Sequence, residues 1–176
     1  MVVLDASFVL LLIQPDARPP NDPSTGKPVD HCQSRIEHLI AQLGEQRTPV
    51  IVPSPALAEF LVRAGPAATR YLQQLQDTRA IKVEPFGERA AIECALLIDG
   101  SRKKKSAETW AKVKFDRQIL AVAKVVAAST LYTNDKKLAA LAKQNGVKPV
   151  AVHELPLPPV DLQAPLPLED VDDDSD

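Results

Sequence analysis

Four carboxylates, Asp5, Glu59, Asp116 and Asp135, occupy comparable places along the chain. Each sits where an apolar run that reads as a strand gives way to a helix, or in the opening turns of a helix. In an open parallel sheet covered by helices such junctions collect along the carboxyl edge, so residues spread over 130 positions meet in one crevice. Two unit charges about 4 Å apart repel by about 4 kcal/mol at an effective dielectric near 20. Four acids meeting there therefore imply a bound cation, and hard oxygen ligands around a small divalent ion suit Mg²⁺ or Mn²⁺.

Other reactive side chains offer less. Cys32 and Cys94 lie 62 residues apart and belong to no CxxC pattern, which points to free thiols rather than a disulfide framework or a zinc site. His31, His38 and His153 show neither HxxxH nor HExxH spacing and read as surface or hydrogen-bonded residues.

The elements that must position the acids follow from periodicity. VVLD and the apolar run after it read as a first strand feeding a helix, and the Pro-rich stretch from Gln14 to Pro28 breaks the pattern as an exposed loop. Ile36, Leu39, Ile40 and Leu43 fall at helical spacing, with Gly44 as a stop, before a strand over Val50 to Val52. Ser54 and Pro55 suit the cap and first position of the helix ALAEFLVRAG, and ATRYLQQLQD makes another after Gly65-Pro66. IKVEPF reads as a third strand. GERAAIECALLIDG then predicts a helix with Ala91, Ala95 and Leu96 helping to form one face and Gly100 at its end. A basic stretch, SRKKKSAETWAKVK, precedes the helix DRQILAVAKVVAA, so Asp116 is expected in a first turn. TLYTND supplies the fourth strand, KKLAALAKQNG the last helix and VKPVAVHEL the fifth strand. The alternation predicts an α/β fold, a three-layer α/β/α sandwich around a mainly parallel five-stranded sheet.

At 176 residues and 45% hydrophobic, the chain can bury one real core, and no apolar run approaches the length of a membrane span. MVVLDASFVLLLI lacks a basic start and a cleavage site, so a soluble, cytoplasmic protein is expected. The net charge of -2 conceals an asymmetry. Residues 161–176 hold seven acids and no Lys or Arg, which leaves 21 basic against 16 acidic residues, a net +5, for the remainder. The expected domain is 1–156; residues 157–176 form a Pro-rich acidic tail too poor in buriable surface to order itself.

Taken singly the acids have plainer readings. Asp5 and Asp135 suit helix N-caps, Asp116 could complement a helix dipole, and Glu59 could lie on a solvated face, although Leu57, Phe60 and Leu61 flank it. Together, VVLDAS, SPALAEFL, FDRQILAVA and LYTND resemble, in order, the four acidic blocks of the PIN-domain nucleases, over residues 1 to about 155. The resemblance assigns metal binding and catalysis to Asp5, Glu59, Asp116 and Asp135. Ser7 matches a hydroxyl position that orients the first acid, and Thr133 and Asn134 match the polar pair beside the last; local turn and capping bonds are the plainer alternative for all three.

What the resemblance implies is hydrolysis of a phosphodiester, most often in RNA, by water activated on one or two Mg²⁺ or Mn²⁺ ions, an endoribonuclease activity. It also brings the role of a VapC-like toxin in a toxin-antitoxin pair, with an antitoxin protein as partner and a homodimer as assembly; RNA maturation and decay are the family's other roles. Arg102, Lys103, Lys104, Lys105, Lys112, Lys114 and Arg117, with Trp110 to stack on a base, form the expected RNA-binding path. Its alternative is a solvated loop with Trp110 in the core. The long Pro-rich loop and this basic stretch exceed the compact family pattern. Two other classes compete: a phosphotransfer fold, against which Asp5-Ala6-Ser7 lacks a DxD pair, and a non-catalytic PIN-fold module that binds RNA or protein.

Overall fold

A computed structural model describes residues 1–78, 80–99 and 107–159, with residues 98, 99 and 107–114 described by backbone alone. Short runs of branched apolar residues form five strands: β1 (Val2–Leu4), β2 (Val50–Pro53), β3 (Ile81–Glu84), β4 (Thr130–Tyr132) and β5 (Lys148–Val150). All neighbours pair in parallel, in the order β3-β2-β1-β4-β5. Val3, Val52 and Leu131 are sealed from solvent, as expected of strands buried on both faces.

Among the described residues seven helices connect them: α1 (Ala6–Ile13), α2 (Cys32–Glu45), α3 (Ser54–Ala64), α4 (Ala68–Asp77), α5 (Glu88–Asp99), α6 (Ala107–Val125) and α7 (Lys136–Gln144). Right-handed crossovers in this strand order put α1–α4 on one face of the sheet and α5–α7 on the other. The helix contacts sort the same way, α1 with α2 and α3, α3 with α4, and α6 with α5 and α7. One principal contact, α3 with α6, joins the two sets. The α/β/α sandwich expected from the sequence is the observed fold, and its sheet is wholly parallel.

Several local expectations change. Helix α6 begins at Ala107, so the second half of the basic stretch is helical and Asp116 lies in the helix interior, away from the positive end of its dipole. The buried face of α5 is Ala90 and Cys94, while Ala91, Ala95 and Leu96 are exposed. Gly44 does not stop α2, which runs on to Glu45. Ser54 is the first residue of α3 rather than its cap, and its Oγ accepts from the Phe86 N–H at 2.9 Å, tying α3 to the segment after β3. The fifth strand is only three residues, followed by a 3₁₀ turn at Val152–Glu154. The Pro-rich loop carries a single antiparallel bridge, Asn21 to Pro28. Arg35, donating to the Leu155 carbonyl and paired with Asp30, fastens the end of the folded body to α2. Gly100, the predicted stop of α5, and residues 160–176 of the acidic tail lie outside the described residues. Among the described residues no helix is long and apolar enough to cross a membrane, and both cysteines are free thiols.

Candidate active site

The order of strands reverses at β1, whose chain continues to β2 on one side while β4 enters on the other. Open α/β sheets bind ligands outside the carboxyl ends of strands at such a switch point. Asp5 follows β1 directly, and its N–H donates to the Tyr132 carbonyl of β4 at 3.1 Å. Its Oδ1 caps α1, accepting from the Ser7 and Phe8 N–H groups at 2.9 and 3.1 Å, and takes the Ser7 hydroxyl at 2.7 Å. Oδ2 accepts from the Thr133 hydroxyl. Asp5 is 5% exposed, and this burial holds its carboxyl above the ordinary 3.8 although the bonds from Thr133, Ser7 and Phe8 pull the other way.

The exit of β4 completes the network. Thr133 is buried, and its Oγ1 also accepts the Asp135 N–H at 3.0 Å, so one hydroxyl joins the two acids. Asp135 caps α7 through Oδ1, which accepts from the Lys137 and Leu138 N–H groups at 2.7 and 3.2 Å. Asn134 donates to Ser7 Oγ from its backbone and side-chain nitrogens at 3.2 and 3.3 Å, while its Oδ1 accepts from Val152 at 3.1 Å. The capping reading of Asp5 and Asp135 is thus correct in the structure, and both carboxylates also line a cleft.

Glu59 and Asp116 come from helices, α3 and α6. With Asp5 and Asp135 they line one cleft of about 610 Å³, alongside Ser7, Asn134, Ile119 and Leu138. Four acids from four separate chain segments therefore share a cavity. As the side chains lie, no group of three or more acids, His or Cys stands ready to hold an ion among the described residues. Asp5 and Asp135 are engaged as helix caps, and Glu59 pairs with Arg63 at 2.6 Å. Both partners are substantially exposed, and such an i,i+4 pair contributes only about 0.3–0.5 kcal/mol. Two of the four donors on Asp5 are hydroxyls, whose hydrogens can rotate away. Hard carboxylate oxygens are the donor type that suits a divalent cation such as Mg²⁺ or Mn²⁺.

The expected RNA-binding path is placed only in part. Arg102, Lys103, Lys104 and Lys105 lie outside the described residues, and Trp110, Lys112 and Lys114 are described by backbone alone, on α6. Arg117 departs from that path: it is 5% exposed, and its Nε donates to the Leu97 carbonyl of α5 at 3.2 Å. Sequence reasoning passed over Val62, Arg63 and Phe115, which also line the cleft. Arg63 was accessible through its i+4 spacing from Glu59.

The PIN domain family model matches residues 31–144, which include Glu59, Asp116 and Asp135 but begin after Asp5 and Ser7. Among solved structures the fold is similar to VapC20 of Mycobacterium tuberculosis, a toxin that cleaves the sarcin-ricin loop, with TM-score 0.53, 16% identity, and 80% of this chain and 94% of that one covered. It is similar to VapBC2 of Rickettsia felis bound to a DNA fragment from its promoter, with TM-score 0.56, 14% identity, and 86% and 98% covered. DNA-bound VapBC of Salmonella typhimurium gives TM-score 0.53 at 16% identity, with 86% and 97% covered. No curated protein sequence matches. With the family model spanning most of the folded body, and the sheet and its acid-lined cleft already in view, the conclusion is that this chain belongs to the PIN domain family.

Proposed function

We propose that this protein is a divalent-metal-dependent endoribonuclease that hydrolyses RNA phosphodiesters in the cleft at the β1–β4 edge. The observation that carries the reading is the meeting of Asp5, Glu59, Asp116 and Asp135, from four chain segments, in one cavity. A Mg²⁺ or Mn²⁺ ion held by these carboxylates would supply an activated water and neutralise charge on the phosphoryl group. The chain's own part is positioning. Ser7 and Thr133 fix the Asp5 carboxylate, Asn134 steadies Ser7, and Thr133 couples the Asp5 and Asp135 ends of the cleft. Helices α3 and α6, packed together, bring Glu59 and Asp116 to the same opening.

The likeness to VapC20 and to two VapBC assemblies supports a toxin role with an antitoxin protein as partner. A homodimer as the working form and the cytoplasm as its place belong to the same proposal. Labelled RNA incubated with the protein should be cut in Mn²⁺, left intact in EDTA, and cut roughly 100-fold more slowly by Asp116→Asn. Cleavage unaffected by EDTA or by the substitution would contradict the proposal. The alternative is a PIN-fold module that binds RNA without cutting it. Tight RNA binding with no Mn²⁺-dependent product would support that reading instead.

A further inference from the structure

The lip of the cleft is built unlike its floor. Val62 and Phe115 are among the most exposed large apolar residues described, at 82% and 43%, and both line the cavity beside the acids. Phe115 precedes Asp116 on α6, and Val62 adjoins Arg63 on α3, the helix packed against α6. Arg63 is the single basic residue lining the cleft among the described residues, and its ion pair with Glu59 at 2.6 Å holds it there. A polyanion entering an acid-lined cavity needs a contact that survives phosphate repulsion. An aromatic face supplies one, because stacking on a base carries no charge penalty and tolerates any base. A guanidinium supplies the other, because it takes phosphate oxygens with two parallel N–H bonds.

We propose that Phe115 and Arg63 form a seat for one unpaired nucleotide beside the carboxylates. The Phe115 ring receives the face of the base, with Val62 extending the apolar lip, and Arg63 takes a neighbouring phosphate once Glu59 lets it go. The inference rests on the nuclease reading above and adds a substrate feature to it. Bases stacked inside a duplex present no free face, so the seat selects single-stranded segments. It also couples two events, since whatever neutralises or engages Glu59 frees Arg63 for the backbone.

The test uses a fluorescein-labelled RNA strand of mixed sequence, and the same strand annealed to its complement, read by fluorescence anisotropy in EDTA so that no turnover intervenes. Wild type should favour the single strand. Phe115→Ala should weaken that binding about tenfold, with Phe115→Trp restoring it and the melting temperature unchanged. Glu59→Gln releases Arg63 without any metal, so Arg63→Ala should lower affinity several-fold more in the Glu59→Gln background than in wild type, and should flatten the salt dependence there by about one charge. An unchanged affinity in folded Phe115→Ala, or an Arg63→Ala effect equal in both backgrounds, would overturn the seat. If the wild type still cuts RNA, the nuclease reading survives that failure; a protein that neither binds nor cuts RNA loses both.

Discussion

One carboxylate, Asp5, caps a helix, joins two strand ends and lines the cleft, and burial sets the terms on which it does so. An acid whose pKa is raised in the fold holds its proton more tightly there than in the unfolded chain, so ionising it opposes folding. That opposition is absent below the ordinary value of 3.8 and complete once the pH passes the raised value. Asp5→Asn should therefore melt higher than wild type at neutral pH in chelator, and the advantage should shrink as the pH falls through this window. A variant less stable by the same margin at every pH would mean that the lost bonds outweigh the relieved burial. The capping role was legible in the sequence, because an Asp between an apolar run and a helical one has few other places to be. The bond from Thr133 was not, since 128 positions separate the partners and only the pairing of β1 with β4 brings them together. Arg117 misled for a related reason. A run of charges reads as solvated, and only the packing of α6 on α5 shows that this one turns inward to a carbonyl.

At the scale of elements, α5 and α6 test how far periodicity can be trusted. Helix α5 carries apolar residues on nearly every side, Ala90, Ala91, Ile92, Cys94, Ala95, Leu96 and Leu97, so no single stripe marks the buried face. The structure chooses Ala90 and Cys94, which pack with Ala121 and Val122 of α6 in a small cluster of their own. Adding bulk there should strain the packing, so Ala90→Leu should lose about 1–3 kcal/mol of stability. Ala91→Leu, one position round the helix, should stay within about 0.5 kcal/mol of wild type. Denaturant midpoints of the two variants check this, and equal losses would show that the face is wrongly assigned. The start of α6 was hidden for a different reason: KKK and the residues after it look like a loop by charge, whereas Ala, Glu, Lys and Trp are all compatible with a helix.

The whole molecule is a wholly parallel sheet whose reversal of strand order creates one crevice, with two acids placed by strand ends and two by helices that meet across its mouth. Alternating strands and helices made the layers legible in the sequence, and the four acidic blocks pointed to the edge of the sheet. Strand order and the bond from Thr133 to Asp5 were beyond it, because both depend on contacts between distant segments. The most direct test is a Mn²⁺ titration followed by the electron paramagnetic resonance of the free ion, on wild type beside Glu59→Gln and Asp116→Asn. Saturable binding in the wild type, weakened at least roughly tenfold in each variant although the two acids sit on different helices, is the predicted result. Wild-type binding retained by either variant, or no specific binding by the native chain, would contradict the shared cation site.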